Sequence, residues 1–147
     1  MGTSTATGLR GRIDPSPTTL GFVVGDLLLI AVFVVSGELS HNVDPLTQTA
    51  TVVDTAIPFY VGWLLLFPLV GVYAARTRRS LRSAVVRTAG AWVGAAVVGL
   101  VLRGTDLFHG NFDVTFLLVA TLVGLALLVP FHLLPFVPRV VRRLRGE

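Results

Sequence analysis

Four long runs of apolar residues alternate with short polar segments, and together they predict an all-α fold. The runs cover residues 18–37, 52–74, 83–102 and 114–137. A helix rises about 1.5 Å per residue, so about 20 residues are enough to cross the hydrocarbon core of a bilayer. The pattern therefore predicts a four-transmembrane-helix bundle whose helices run up, down, up and down.

Polar and basic sequence flanks this predicted transmembrane domain of residues 18–137. Residues 1–17 are rich in Gly, Ser, Thr and Pro and have no apolar period, which predicts a disordered tail. Residues 138–147 combine arginines with apolar residues, and we expect this basic tail to rest on anionic headgroups. The first run could instead belong to a cleaved signal peptide. We favour a span, because the run is longer than the apolar core of a signal peptide and carries Asp26.

Small residues predict where helices approach one another. Gly90 and Gly94 in the third run are four residues apart, as are Gly21 and Gly25 in the first run. Residues at this spacing lie on one face of a helix, so each pair offers a flat stripe for a neighbouring helix. The motif is common by chance, so neither pair proves a contact.

Two tryptophans lie near the middle of predicted spans and not at the membrane interface. Trp63 is in the second run and Trp92 in the third. We expect their indole N–H groups to bond within the bundle, because a lone donor in hydrocarbon needs a partner. Candidate acceptors are the carbonyls that Pro58 and Pro68 leave without a helical donor.

Composition supports the membrane assignment, and charge gives it a direction. The 147 residues are 53% hydrophobic and 14% charged, which is too apolar for one small soluble core. There is no cysteine, so disulfides and thiolate metal sites are excluded. All 12 basic residues are arginines, and 11 of them fall on one side of the four predicted spans, with Arg103 on the other. Arginine-rich loops stay in the cytoplasm, so the sequence predicts a multi-pass cell-membrane protein with both termini cytoplasmic and no nucleic-acid partner.

Three ionisable residues lie within the predicted spans, in the half nearer the arginine-rich side. They are Asp26, Arg87 and His132. A charge at membrane depth needs a partner, and the leading hypothesis is an Asp26–Arg87 ion pair with His132 nearby. Two alternatives stay open: Asp26 faces a partner subunit or water, or the cluster forms a proton or ion pathway. His132 on its own is typical of an interfacial histidine.

The other polar residues give no pattern of catalysis or cofactor binding. His41 and His109 occur among carboxylates in the outer loops and could bind a metal, but their spacing matches no known ligand pattern. Ser40 precedes His41, yet adjacent residues do not make a nucleophile–base pair. We therefore expect solvated loops, with no catalytic, cofactor or metal site, and a protein that is not an enzyme.

Several short motifs resemble a known family. They are Asp26 in the first run, Gly37-Glu38-Leu39-Ser40-His41, Pro58-Phe59-Tyr60-Val61-Gly62-Trp63, Trp92 with Gly99 and Arg103, and Phe116-Leu117-Leu118-Val119-Ala120. Over roughly residues 22–134 the chain is similar to the small prokaryotic membrane family catalogued as domain of unknown function 3054. The resemblance implies four membrane helices and no assigned activity. It marks Ser40, His41, Trp92 and Arg103, beside Asp26, as candidate functional positions.

The predicted function is a structural or partner-binding component of the membrane. Its partners would be the lipid bilayer and a second copy or another membrane protein. The alternative is a small oligomeric transporter or channel that uses Asp26 and Arg87.

Overall fold

Four long helices make up most of the fold. A computed structural model of the chain describes residues 11–146. Its long helices are α1 (Pro17–Ser40), α2 (Thr49–Val70), α3 (Leu81–Arg103) and α4 (Val114–Leu133), and no strand occurs in the described part of the chain. All four helices are long and apolar enough to cross a membrane. The predicted all-α class and the number of spans are confirmed.

Local sequence explains where these helices start. The hydroxyls of Ser16 and Ser80 accept hydrogen bonds from backbone N–H groups in the first turns of α1 and α3. The carboxylate of Asp113 does the same for α4. These side chains occupy N–H groups that a helix leaves without internal partners, which matters most where apolar surroundings exclude water.

The end of α2 differs from the predicted one. The apolar run continues to residue 74, but α2 ends at Val70 because Gly71 adopts a left-handed conformation with φ of 80°. Val72 and Tyr73 then turn into the bundle and are buried. A short 3₁₀ segment, Ala75–Arg79, leads from this turn towards α3.

Glycine allows the closest helix contacts. A methyl group added at Gly62 of α2 would lie 2.4 Å from the carbonyl oxygen of Ala95 on α3, so these backbones touch. A methyl group at Gly124 of α4 would lie 1.9 Å from an indole carbon of Trp92 on α3. Helices α2, α3 and α4 are therefore tightly packed side by side.

The two predicted glycine stripes are each used in part. Gly25 packs against the ring of Phe131, and Gly94 packs against the side chain of Leu66. Gly21 and Gly90 face open space. In each pair, only the second glycine contacts a large side chain of a neighbouring helix.

The segment before α1 is held against the base of the bundle. The Asp14 backbone N–H donates to the carbonyl of Tyr73 at 2.8 Å, and the Arg12 guanidinium donates to the carbonyl of Leu69 at 2.9 Å. Arg78 forms an ion pair with Asp14. The predicted disorder therefore does not hold for residues 11–16. The rest of the predicted tail, residues 1–10, lies outside the described residues, as does residue 147.

The basic segment after α4 is helical. A 3₁₀ turn, Leu134–Phe136, leads into α5, Val137–Leu144. Val140, Val141 and Leu144 are exposed on this helix together with its arginines. Its composition suits a helix that lies along a membrane surface.

Candidate functional site

A buried group of hydrogen-bonded side chains lies near the base of the bundle. Asp26 of α1 is 0% exposed, and the His132 Nε2 atom lies 2.8 Å and 3.0 Å from its two carboxylate oxygens. The Tyr73 hydroxyl donates to Asp26 at 2.6 Å, and the Trp63 indole N–H donates to the Tyr73 oxygen at 3.2 Å. We call these four residues the inner polar cluster. It ties α1, α2, α4 and the turn after α2 together.

The cluster supplies hydrogen bonds to a carboxyl group that is buried away from solvent. An isolated carboxylate in an apolar interior is very costly, and hydrogen bonds from His132 and Tyr73 offset that cost. A hydrogen bond joins Asp26 and His132. Tyr73 lies in the turn beyond the helical spans, where burial and then the charge of Asp26 raise the pKa of its phenol. Tyr73 therefore remains a hydrogen-bond donor.

The predicted ion pair between Asp26 and Arg87 is wrong. The Arg87 guanidinium instead donates to the carbonyl of Gly71 at 3.5 Å and to the Thr77 hydroxyl at 3.4 Å. The early end of α2 explains the difference, because the turn at Gly71 supplies its own acceptors to Arg87 and brings Tyr73 to Asp26. His132 does accompany Asp26, and at 6% exposure it lies in the interior of the bundle.

A layer of aromatic rings fills the middle of the bundle above this cluster. Phe33, Phe59 and Trp92 are buried, with ring centroids 5.1 to 6.0 Å apart. We call these three rings the aromatic layer. The Trp92 N–H donates to the Ala120 carbonyl at 3.1 Å. Both tryptophans therefore bond within the bundle as predicted, but neither acceptor is a carbonyl freed by Pro58 or Pro68.

A cavity of about 580 Å³ lies at the other end of the bundle, between the end of α1 and the start of α4. We call it the outer cavity. Its lining includes apolar residues of the bundle and polar residues at the helix ends: Phe33, Val34, Ser36, Gly37, Glu38, Ser40, His41, Thr55, Arg103, Asp113, Thr115, Phe116, Val119, Ala120 and Val123. Such a mixture of an apolar wall and a few polar groups is typical of small-molecule sites.

The polar groups of the outer cavity differ in how well they are paired. Glu38 accepts a hydrogen bond from the Thr55 hydroxyl, and Asp113 caps α4. The Arg103 guanidinium lies over the ring of Phe116, 5.0 Å from its centroid. Its Nε atom is buried and has no hydrogen-bond partner within residues 11–146.

The sequence model of a family described as "Protein of unknown function (DUF3054)" matches residues 23–134. The chain belongs to this family. The match covers the inner polar cluster, the aromatic layer and all the residues that line the outer cavity, and it confirms the resemblance found in the sequence. No curated protein and no solved structure matches the chain.

The four motif positions of this DUF3054 protein fall in two places. Ser40, His41 and Arg103 line the outer cavity, whereas Trp92 belongs to the aromatic layer. The Ser40 hydroxyl donates to the Ser36 carbonyl at 2.8 Å, which closes the end of α1. The structure therefore does not bring these four positions and Asp26 together in one site.

In the DUF3054 protein the loop after α3 contacts the start of α2 through His109 and Asp54. The His109 backbone N–H donates to the Asp54 carboxylate at 3.0 Å, and its imidazole lies 3.6 Å from the same oxygen. No cluster of three or more histidine and carboxylate side chains suited to a metal occurs in residues 11–146. His41, on the end of α1, faces the outer cavity instead.

Sequence reasoning missed two parts of this arrangement. Tyr73 sits inside an apolar run and looked like part of a span, although the nearby Pro68 and Gly71 signal an early helix end. The outer cavity has no local motif, because four separate segments supply its walls. The available signals were the candidate positions Ser40, His41 and Arg103, all of which line it.

Proposed function

We propose that this DUF3054 protein is a partner-binding component of the cell membrane without enzymatic activity, and that the outer cavity is its binding site. The observation that carries the proposal is the contrast between the two ends of the bundle. At the inner end His132 and Tyr73 bond to Asp26, whereas the outer end keeps a cavity of about 580 Å³ lined by Arg103, which forms no ion pair within residues 11–146.

The filled interior favours a binding role over transport within one chain. The buried rings of Phe33, Phe59 and Trp92 lie between the inner polar cluster and the outer cavity. Asp26 is engaged by His132 and Tyr73, and Arg87 is engaged elsewhere. Asp26 and Arg87 therefore do not contact each other, which disfavours a transport pathway that uses both residues.

Photo-crosslinking from the cavity tests the proposal. Val119 lines the outer cavity, while Leu122 lies on the lipid-facing side of the same helix and is 67% exposed. With a photoreactive residue at position 119, we expect adducts of one discrete mass after irradiation of native membranes, read by mass spectrometry of the purified protein. Position 122 is the matched control, because it samples bulk lipid at a similar depth.

Two outcomes separate the possible partners. Identical adduct spectra at the two positions would count against a binding site in the outer cavity. An adduct of twice the chain mass at position 119 would identify the partner as a second copy of the protein.

We also propose that both termini lie in the cytoplasm. Arg12, Arg78 and Arg87 all make contacts at the end of the bundle that holds the turn after α2, which places much positive charge on one side. The cysteine-free chain allows single-cysteine labelling. We expect Ser80→Cys to react with an impermeant maleimide only after the membrane is opened, and Thr47→Cys to react in intact cells. The reverse pattern would mean the opposite orientation.

A further inference from the structure

We propose that the outer cavity binds a single-chain amphiphile with a carboxylate head, and that Arg103 binds this carboxylate. The inference rests on the proposed function, because it names the class of partner for the same cavity. Three features support it: the shape of the gap between α1 and α4, the apolar floor of the cavity, and the pairing of its charged residues.

The gap between α1 and α4 gives the cavity an opening towards lipid. Near the inner end the two helices are in contact, with the rings of Phe22 and Phe131 5.1 Å apart and Gly25 against Phe131. Towards the outer end they enclose the cavity instead. Val119 and Val123 line it while remaining 52% and 39% exposed. A hydrocarbon chain can therefore enter sideways from the bilayer without crossing water.

The walls and floor of the cavity suit such a chain. Phe33 belongs to the aromatic layer and also lines the cavity, so the cavity ends against that layer. Val34 and Phe116 add apolar surface to the walls. A volume of about 580 Å³ lies within the range of small-ligand pockets, roughly 300–1,000 Å³. Apolar contact would supply affinity but would not fix which end of a ligand faces outwards.

The polar end of the cavity supplies that orientation. The two carboxylates already have donors within the chain, since Glu38 accepts from Thr55 and Asp113 accepts from the start of α4. Arg103 belongs to none of the ion pairs within residues 11–146, and its buried Nε has no acceptor. Arg103 lines the cavity, and a carboxylate matches its planar guanidinium in shape and charge.

The position of Arg103 along its helix completes the argument. Arg103 is the last residue of α3, so it lies where the apolar span gives way to the polar outer loops. An amphiphile with its head at this residue would place its chain along Val119 and Val123, parallel to the neighbouring lipids. The site would thus preserve the natural orientation of a fatty acid in the outer leaflet.

Equilibrium binding of radiolabelled oleate tests this inference. The protein is reconstituted in lipid nanodiscs, and empty nanodiscs measure the background of partition into lipid. We expect saturable binding of one oleate per chain. Arg103→Gln should weaken it by about 10- to 100-fold, the usual worth of a charge-assisted hydrogen bond. Arg82→Gln, an exposed arginine at the other end of α3, should leave the binding unchanged.

A second pair of variants tests the cavity independently of the charge. Gly37 lines the cavity, and a methyl group there would meet no atom within 4 Å, so Gly37→Leu should fill the space and abolish saturable oleate binding. Gly21→Leu places the same side chain in open space near the other end of the same helix. This variant should bind oleate as the unchanged protein does. Circular dichroism of each variant confirms that it is folded.

Three results would overturn the inference. Oleyl alcohol competing as well as oleate would remove the role of the carboxylate, and butyrate competing equally would remove the role of the chain. Absence of saturable oleate binding would exclude this ligand class. If position 119 still gives a discrete adduct of another mass, the partner-binding proposal stands while the ligand assignment fails.

Discussion

Replacing His132 with leucine will lower the free energy of unfolding by about 3–5 kcal/mol, the usual cost of leaving one member of a buried acid–base pair without its partner. The Asp26 carboxyl group, which is 0% exposed, loses the partner that lies 2.8 Å away. Tyr73 supplies one remaining hydrogen bond, which is too few for a carboxylate without water. Unfolding in mixed micelles with increasing sodium dodecyl sulfate, followed by tryptophan fluorescence, measures the change.

A double-mutant cycle makes this prediction specific. Asp26→Leu combined with His132→Leu should be much less destabilised than the sum of the two single variants, because no unpaired ionisable group is left in the core. Tyr73 retains a hydrogen bond from Trp63 in the double variant. The losses of stability caused by Asp26→Leu and Arg87→Gln should instead add, because Arg87 does not bond to Asp26. Additive effects of Asp26 and His132, or strong coupling of Asp26 with Arg87, would contradict the structure.

The corrected partner of Asp26 shows what the sequence can and cannot predict about such a site. Counting residues from the helix ends gives depth, and it correctly placed Asp26 and His132 at similar levels. It does not give the direction in which a side chain points around the helix. Arg87 was predicted at the same depth, but it points to the turn at Gly71. That turn lies inside an apparently continuous apolar run, and only Pro68 and Gly71 signal it, so Tyr73 was not recognised as the second partner.

The fold was far more predictable than the site, for a physical reason. A membrane imposes a minimum length on each apolar run, so the four helices follow from the lengths and positions of the apolar runs. The helix starts at Ser16, Ser80 and Asp113 have the usual capping residues. The outer cavity, in contrast, depends on how far α1 separates from α4. That separation is a property of packing between distant residues and leaves no period in the sequence.

The glycines illustrate the same limit. Spacing drew attention to Gly90 and Gly94, yet Gly90 faces open space. An added methyl group would lie 1.9 Å from Trp92 at Gly124 and 2.4 Å from Ala95 at Gly62, and neither glycine belongs to a predicted stripe. At Gly25, which does belong to one, the distance to Phe131 would be 2.2 Å. Spacing describes one helix, whereas a close contact depends on what the neighbouring helix presents. The predicted rule was right about small residues and about Gly25 and Gly94, but it did not find Gly62 and Gly124.

Substitution of Gly124 by alanine is therefore expected to destabilise the bundle by about 1–3 kcal/mol, the usual cost of overpacking a dense core. The added methyl carbon would lie 1.9 Å from a ring carbon of Trp92, so either the indole or α4 must move. The indole has little freedom, because it is buried against Phe59 and its N–H bonds to Ala120. The same measurement of unfolding in mixed micelles tests the prediction.

Two further variants separate this clash from the effect of alanine itself. Gly90→Ala puts the same methyl group into open space on α3, where the higher helix propensity of alanine should leave stability unchanged or raise it by up to about 1 kcal/mol. Adding Trp92→Phe to Gly124→Ala should cost less than the two single changes together, since the smaller ring makes room for the methyl group. Equal losses for Gly124→Ala and Gly90→Ala would mean that the approach of α4 to Trp92 is looser than the structure has it. The indole of Trp92, which belongs to the aromatic layer next to the outer cavity, would then be less tightly packed than described.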